Sequence, residues 1–422
     1  MLNIYLTSKR FFCQVYISAS VCFGAIAPAT HAAESLTDAL TYGKITGQAR
    51  YRYEWVDQEG RTEKASASTL RTQLGYLTED YLDLSVFSQF EDVRVVGNER
   101  YNSTINGLIQ YPLVLDPEGT EINQAYLSYK GLSGTVLKYG RQVIAYDNYR
   151  FIGEAGWRQN QQTYDAFTVV NTSLAGTTLS YAHVINVNRV FGDHSAIGNL
   201  RMDGDLLNIA YRGWSAGTLI SYGYFLDYTP AQPFAGAASN KTLGVRFDGS
   251  VRVSAYDILY TAERAHQSDY AEGAATVDAD YTLGLLGINA GGVQAKLGYE
   301  LLTGNGVYAL QTPLASLHPF NGWADKFLST PVDGLEDIFF SVGASPGGMG
   351  LLIVYHRYRA DSLGYDYGSE WNLLVSKKLN KYLTLLVKYA TYDGDSSTMG
   401  QVRNPALVRD LDRLWIQAEW QL

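Results

Sequence analysis

The chain has 422 residues, of which 13% are aromatic, and a mean hydropathy of -0.13. This composition is too polar for a bundle of membrane helices, each of which needs about 18 or more apolar residues in a row. Lys and Arg number 33 against 42 Asp and Glu, so the chain is acidic, which argues against nucleic-acid binding. The abundance of Tyr (33) and Gly (41) is typical of proteins with many strands and turns.

Residues 1–32 have the pattern of a secretory signal peptide. A basic pair precedes the apolar stretch Phe11–Ala27 and the small-residue cleavage site Thr30-His31-Ala32, with cleavage after Ala29 as a second possibility. Both cysteines of the chain lie inside this segment. Residues 33–422 are therefore predicted to form a mature protein without disulfides, whose stability has another source.

The first segment after the signal alternates strictly between two kinds of residue. From Ile45 to Trp55, apolar and aromatic residues occupy one parity, whereas Arg50, Arg52 and Glu54 occupy the other. Successive side chains of a strand point to opposite faces, so this segment has one apolar and one charged face. The same alternation recurs in segments 70–76, 242–247, 293–301 and 370–376.

The last segment, Leu414–Leu422, completes this pattern. Its apolar residues share one parity up to the final residue, and Trp415 and Glu419 lie on the other. An open edge strand of this kind invites aggregation in water, whereas a strand that closes a barrel in lipid has no free edge. For this strand alone, the alternative is the last strand of a soluble sandwich.

The connections between the predicted strands favour the barrel. Eight short turns are predicted at Leu77–Asp80, Lys130–Gly134, Leu174–Gly176, Gly213–Gly217, Asp248–Ser250, Asn289–Gly292, Ser345–Gly348 and Lys378–Lys381. Nine longer polar stretches alternate with them, near residues 57–67, 93–120, 143–161, 186–204, 229–240, 264–277, 303–336, 360–368 and 393–411. The alternation predicts an all-β fold, a single closed antiparallel transmembrane β-barrel of 18 strands in the bacterial outer membrane. Residues 33–422 would form this barrel, with long extracellular loops and short periplasmic turns.

Two details concern the direction of side chains in the predicted barrel. In the strand at 351–359, either Arg357 and Arg359 or His356 and Tyr358 face inward. Aromatic residues near predicted strand ends are expected to form girdles at the lipid headgroups, unless some of them fill the sheet surface or line the lumen. These residues are Tyr51, Tyr53, Trp55, Tyr76, Trp214, Tyr222, Tyr224, Tyr299, Trp371, Tyr389 and Trp420.

The densest polar and aromatic stretch, residues 140–165, lies on a long loop and its two flanking strand ends. It contains three arginines, Arg141, Arg150 and Arg158, together with Gln, Asn and aromatic residues. If the loop folds into the lumen, it narrows the pore and presents bidentate donors to carboxylates or sugar hydroxyls. The alternative is a loop that packs on itself through Arg–Asp pairs.

Several motifs in and around this stretch point to a known family. They are Gly140-Arg141-Gln142, Asp147-Asn148, Arg150-Phe151, Trp157-Arg158-Gln159 and Asp165, the early segments Tyr51–Glu54, Thr69–Thr72 and Leu74–Tyr76, and the long loop from Thr312 to Phe327. With these motifs, essentially the whole mature chain resembles the alginate-export family of outer-membrane porins. The resemblance implies an 18-stranded barrel with an arginine-rich constriction through which an anionic polyuronate is exported. It also implies pore or constriction roles for Arg50, Arg52, Arg71, Arg141, Arg150 and Arg158.

The chain departs from the family in its shorter loops, which leaves open whether a plug or gate is present and which solute passes. The loop residues Asp147, Asn148 and Trp157 are further candidates for contact with solute. Strand parity also places Arg246 and Lys296 inward, together with acidic residues. Mixed charges produce a transverse field that suits polar solutes, so anion selectivity is supported only in part.

Evidence for catalysis or metal binding is weak. Five His remain after the signal, no two of them at metal-ligand spacing, and a scattered loop His such as His318 is expected to be solvated. No metal and no cofactor are predicted. A barrel-embedded hydrolase is the least favoured function, because the sequence identifies no Ser/His/Asp set.

The predicted function is a passive outer-membrane channel for polar, anionic saccharide-type solutes, with a general porin for small acids or oligosaccharides as the alternative. The predicted partners are outer-membrane lipid, a polar or anionic solute such as a polyuronate, and the barrel-assembly machinery during insertion. Loop carboxylates could also bridge to lipopolysaccharide through divalent cations. Nucleic acid is not expected as a partner.

Overall fold

The computed structural model describes residues 33–229 and 239–422, so the predicted signal peptide lies outside the described residues. Eighteen antiparallel strands form one sheet in which each strand pairs with its sequence neighbours, and β1 also pairs with β18. The predicted closed barrel and its strand number are therefore confirmed. A short helix α1 (Leu36–Thr41) precedes the strands. The strands are β1 (Lys44–Gln58), β2 (Ala65–Leu77), β3 (Leu84–Val95), β4 (Gly119–Leu132), β5 (Thr135–Gln142), β6 (Thr163–Asn171), β7 (Thr177–Asn188), β8 (Asn199–Trp214), β9 (Gly217–Tyr228), β10 (Asn240–Val253), β11 (Tyr256–Asp269), β12 (Asp278–Ala290), β13 (Val293–Leu302), β14 (Leu335–Ala344), β15 (Met349–Arg359), β16 (Asp366–Lys378), β17 (Leu383–Gly394) and β18 (Leu411–Gln421).

The barrel closes through the first and last strands. Arg50 lies opposite Glu419 and Arg52 opposite Gln417 in the β1–β18 register. This pairing gives both terminal strands a neighbour on each side, so their backbone donors and acceptors are satisfied without water. No helix within residues 33–229 and 239–422 is long and apolar enough to cross a membrane.

The outward and inward faces have opposite chemistry, as the alternation predicts. Leu74 and Leu297 are 59% and 57% exposed on the outer face. Their neighbours in sequence, Gln73 and Gly298, point inward and are buried. The apolar outer surface suits a hydrocarbon environment, and the inward face carries buried polar and charged side chains.

The open question about β15 is decided in favour of inward His356 and Tyr358, which are both buried. Arg357 and Arg359 point outward and pair with Asp366 on β16. Of the aromatic residues considered for girdles, Trp214, Trp371 and Trp420 are exposed on the outer face. Tyr222 and Tyr224 are buried in the lumen, which is the alternative position that the sequence left open.

One predicted turn, at Asp248–Ser250, was wrong. Strand β10 continues through it to Val253, because the Asp248 carboxylate accepts hydrogen bonds from Arg246 and from Thr261 on β11 instead of capping a turn. The chain reverses at residues 254–255, between β10 and β11. The predicted loop at 229–240 lies largely outside the described residues.

Long loops occur at one end of the barrel and short turns at the other, and we number the long loops L1 to L9 in chain order. L3 spans residues 143–162 and L7 spans residues 303–334. Their conformations lack regular structure, yet many of their side chains are buried. Their contacts with inward residues of the strands place them inside the barrel.

Candidate functional site

L3 crosses the lumen from one wall to the other. On β1, Arg50 Nη1 donates to the Gly156 carbonyl at 2.8 Å, and Arg52 Nη2 donates to the Trp157 carbonyl at 2.5 Å. On the far wall, Arg150 Nε donates to Glu300 Oε1 of β13 at 2.8 Å. Of the two arrangements that the sequence left open, L3 therefore adopts the one in which the loop folds into the lumen.

Three arginines of the wall lie beside this loop. Arg50, Arg52 and Arg71 are only 1%, 0% and 3% exposed. Arg50 Nε pairs with Glu419 at 2.6 Å, Arg52 Nε donates to Gln417 at 3.1 Å, and Arg71 donates to Gln48. Burial of a guanidinium is costly unless acceptors surround it. These contacts therefore fix the positions of the three arginines and, through Arg50 and Arg52, of the L3 backbone.

Asp325 of L7 is the centre of a second set of contacts. Its Oδ2 accepts from Arg158 Nη2 of L3 at 2.5 Å and from Arg413 Nη1 of β18 at 2.7 Å. Its Oδ1 accepts from His318 Nδ1 at 2.7 Å. Burial alone would raise the pKa of Asp325, but the neighbouring His318 and Arg158 outweigh it and lower the pKa below its usual range. Asp325 therefore joins L3, L7 and the wall as an ionised carboxylate.

His318 is buried, so the expectation that it is solvated was wrong. Burial and the adjacent Lys388 lower the pKa of His318 well below its usual value. Its Nδ1–H donates to Asp325, and Nε2 accepts from Lys388 Nζ at 2.6 Å, which assigns the neutral tautomer. Because Nε2 faces an ammonium and not a hydroxyl, His318 lacks the geometry of a hydrolase base.

Tryptophan rings enclose the Lys388 ammonium. Nζ lies 3.8 Å from the ring centroid of Trp323, 4.2 Å from that of Trp157 and 5.4 Å from that of Trp415. The Trp157 ring also stacks on His318 at 4.7 Å, nearly parallel. Cation–π attraction is strongest where water is excluded, so this cage joins L3, L7 and β17 in one cluster.

Acidic side chains of the wall at β13 and β16 also bind the lumen loops. Glu300 accepts from Arg150, from Tyr281 Oη at 2.6 Å and from Asn321 Nδ2 of L7 at 2.7 Å. Glu370 of β16 accepts from the backbone N–H of Ala324 in L7 at 2.8 Å. L7 is thus attached to this wall as well as to β18, and together with L3 it fills the centre of the barrel.

Comparison with known proteins decides the family. The model of the alginate export family matches residues 41–316, which is more than half of the chain. The chain belongs to the alginate export family. Together with the closed barrel and its apolar outer surface, this membership makes the protein an outer-membrane channel of the porin type.

Solved structures have the same fold as this alginate-export protein. OccAB4 of Acinetobacter baumannii matches with a TM-score of 0.70 at 11% identity, over 90% of this chain and 97% of that chain. The outer-membrane protein OpdK of Pseudomonas aeruginosa matches with a TM-score of 0.68 at 13% identity, over 90% and 98%. A second structure of OpdK, with vanillate, has a TM-score of 0.67 at 13% identity over 90% and 98%. No curated protein matches the sequence significantly.

Four of the predicted site residues lie away from the cluster around Asp325. Arg246 pairs with Glu263 on the neighbouring strand at 2.6 Å. In L3, Asp147 accepts from Asn208 Nδ2 at 2.7 Å, and Asn148 accepts from the Arg150 backbone N–H at 3.3 Å. Lys296 is a half-buried inward residue near the short-turn end of β13. The structure brings together Arg50, Arg52, Trp157 and Arg158, with Arg71 beside them and Arg150 across the lumen.

Arg141 is a correction to the predicted pore set. It shares the outward face of β5 with the exposed Tyr139, whereas Gln142 points inward. Arg141 pairs with Asp165 on the same outward face of β6 at 2.8 Å. A side chain on the outer surface cannot line the constriction. The period of two along β5 already predicts the outward direction of Arg141.

Several central residues were missing from the predicted set: His318, Asp325, Lys388 and Arg413. For Arg413 a signal existed, since it shares the inward parity of Trp415 on β18. For His318 and Asp325 no periodic signal existed, because L7 has no regular structure and its position depends on distant partners.

One group of potential metal ligands forms across two strands. His183 of β7 and Asp203 and Asp205 of β8 place their ligand atoms within 4.8 Å of one another. The three side chains lie on the outer face and are partly or fully exposed. Sequence spacing could not reveal this group because its members meet only through strand pairing.

Proposed function

We propose that this alginate-export protein is a passive channel for polar, anionic saccharide-type solutes such as polyuronates. Solutes would pass a constriction inside the barrel, at L3 and L7, that is lined by Arg and Tyr side chains. The observation that carries this proposal is the uneven distribution of charge around the lumen. No covalent step is required.

The wall beside L3 has an excess of basic residues. Its inward basic residues are Lys388, Arg413, Arg50, Arg52 and Arg71, and its inward acidic residues are Glu54 and Glu419. From β11 to β16 the inward charged residues are mainly acidic: Glu263, Glu300, Asp337 and Glu370, with Lys296 as an inward basic residue. Fixed positive charge in a low-dielectric lumen raises the local concentration of anions and so favours their entry.

Tyrosines supply the second feature of the proposed constriction. The buried inward tyrosines of the strands include Tyr164, Tyr222, Tyr224, Tyr228, Tyr281, Tyr358, Tyr367 and Tyr392. A phenol offers a hydroxyl that donates and accepts beside an apolar ring, which suits polyhydroxylated solutes. Many weak contacts of this kind allow a solute to bind and still leave, as conduction requires.

Contacts with lipopolysaccharide are proposed for the outer face at the long-loop end. Charged pairs such as Arg264–Asp280 and Arg357–Asp366 are exposed there, at 2.8 Å and 3.2 Å. Exposed guanidinium groups can bind phosphates, and exposed carboxylates can bind divalent cations.

Planar-bilayer recording tests the proposed function. In a KCl gradient, the wild-type reversal potential is expected to show anion preference, and Arg50→Gln with Arg71→Gln is expected to shift it toward cations. Arg264→Gln, which removes an exposed arginine of the outer face, is the matched control and should leave it unchanged. Cation preference in the wild type, or unchanged preference in the double variant, would refute the proposal.

A porin for small acids is the second candidate, favoured by the fold shared with the OpdK structure that contains vanillate. The two candidates differ in the size of solute that blocks the current. Oligouronates should block at lower concentration than monomeric acids if the channel conducts polyuronates. Equal or weaker block by oligouronates would favour the small-acid porin.

A further inference from the structure

Asp325 is bound by its own protein in the way that a carboxylate ligand would be bound. Its two oxygens accept from Arg158 Nη2, Arg413 Nη1 and His318 Nδ1 at 2.5, 2.7 and 2.7 Å. These donors come from L3, β18 and L7. Guanidinium and imidazole N–H groups that converge on one planar anion from separate elements form a carboxylate-binding site.

We propose that this site binds the carboxylate of the transported solute and that Asp325 occupies it while the channel is at rest. This inference rests on the proposed function, because it assigns a binding site and a gate to the same lumen. A solute that reaches Arg158 and Arg413 competes with Asp325 and releases L7 from β18. The return of Asp325 then expels the solute, so binding remains reversible.

The charges around Asp325 favour such an exchange. The buried charged groups of this region are Arg52, Arg158, Arg413 and Lys388 against Glu54, Asp116 and Asp325. Without the Asp325 carboxylate, the nearest anion to Arg158 and Arg413 is Glu54, at 3.5 Å from each. An uncompensated buried arginine is strongly unfavourable, whereas replacement of one carboxylate by another leaves the charge of the site unchanged.

Unused donors indicate that the ligand has hydroxyl groups as well as a carboxylate. Within the described residues, Arg413 Nε, Trp157 Nε1 and Trp415 Nε1 are buried and hydrogen-bond to no protein atom. The Asp325 carboxylate cannot reach all of them from its position. A sugar acid carries several hydroxyl oxygens beside its carboxylate, so it matches this donor set better than a simple acid does.

The backbone of L7 is bent sharply where it presents Asp325. Asn321 and Asp325 have φ values of 53° and 58°, in the left-handed region that Asn and Asp tolerate better than most residues. The contacts of their side chains hold this conformation: Asn321 bonds Glu300 and Arg150, and Asp325 bonds Arg413. Loss of the Asp325 contacts therefore removes one of the two anchors of this bend.

Glucuronate binding to the full-length purified barrel tests the site, with titration calorimetry and bilayer conductance as readouts. Asp325→Asn removes the competing negative charge from the site. The variant is expected to bind glucuronate at least tenfold more tightly than the wild type, and to have a higher resting open probability. Asp333→Asn is the matched control, because Asp333 is another buried L7 carboxylate, paired with Arg403 at 3.0 Å. It should behave like the wild type toward glucuronate. Addition of Arg413→Gln to Asp325→Asn should abolish the gain.

Acetate and glucose separate the parts of the ligand. Glucose should gain no affinity in Asp325→Asn, and acetate should gain less than glucuronate. An equal gain for acetate and glucuronate would support the carboxylate site and assign it to simple acids. Equal glucuronate affinity in Asp325→Asn and Asp333→Asn, in protein with the heat-modifiable gel mobility of a folded barrel, would overturn the inference.

The same experiment separates this inference from the proposed function. Wild-type anion preference together with no gain in Asp325→Asn overturns the site alone, whereas wild-type cation preference overturns the channel proposal. If Asp325→Asn does not fold, Arg413→Gln in the otherwise wild-type chain is the second test. It is expected to weaken block by glucuronate at least tenfold, and unchanged block would overturn the site.

Discussion

Substitution of Glu300 by Ala should release both lumen loops from the β13 wall without opening the barrel. Glu300 accepts hydrogen bonds from Arg150 of L3, Asn321 of L7 and Tyr281 of β12 at 2.8, 2.7 and 2.6 Å. In Glu300→Ala, the remaining hydrogen bonds of the buried Arg150 guanidinium are those to Asn321 at 2.9 Å and Thr312 at 3.4 Å. Removal of one partner of a buried ion pair costs about 3–5 kcal/mol. If this cost falls on docking of the loops, the undocked population rises by a factor of about 10² to 4 × 10³.

Trypsin cleavage of the folded barrel measures this undocking. Cleavage after Arg150 or Arg158 requires L3 to leave the lumen, so the cleavage rate should follow the undocked population while gel mobility still reports an intact barrel. Glu300→Gln retains the acceptor oxygen and should lie between the wild type and Glu300→Ala. Glu272→Ala, at an exposed loop position, is the control and should have no effect. Wild-type cleavage rates in an intact Glu300→Ala barrel would refute the role assigned to Glu300.

Two further predictions concern pH and selectivity. Burial and Lys388 lower the pKa of His318 in the docked loop L7. His318 therefore binds a proton more readily when L7 is undocked. Docking of L7 should weaken by up to about 1.4 kcal/mol per pH unit as the pH falls below about 6.5. Open probability in bilayers should therefore rise as pH falls from 7 to 5. This rise should be absent in His318→Gln but present in the exposed control His183→Gln. A rise of equal size in His318→Gln would contradict the role of His318 in docking. Arg141→Ala should leave the reversal potential unchanged, since Arg141 pairs with Asp165 on the outer face, and a shift toward cations would return Arg141 to the pore.

The barrel could be predicted from the sequence because lipid imposes one rule on every strand. Each strand must present apolar residues at every second position, and this local rule is visible in segments such as 293–301 without any knowledge of the rest of the fold. Loop length alternates for a similarly simple reason. The short turns only connect neighbouring strands, whereas long loops such as L3 and L7 also fold into the lumen. The local turn signal failed at Asp248, because the Asp248 carboxylate accepts a hydrogen bond from Thr261 on the next strand.

The interior could be predicted only in part, because its contacts are not periodic. Arg50 and Arg52 were recognised as inward from the parity of β1, but nothing in β1 indicates that their partners are the Gly156 and Trp157 carbonyls, about a hundred residues later. Asp325 illustrates the same limit more strongly. Its partners are distributed over L3, L7 and β18, and only the closed barrel brings these three elements together.

The separation between wall and lumen also explains how such a molecule can be both stable and able to open. Backbone pairing between β1 and β18 closes the barrel, and this pairing involves no atom of L3 or L7. The loops are held mainly by ion pairs and hydrogen bonds to polar side chains of the wall, such as Arg413 and Glu300. An apolar core has no equivalent partner in water, but a carboxylate or guanidinium can exchange a protein partner for water or for a solute. Polar filling of the lumen therefore allows the loops to move while the wall that faces the lipid stays intact.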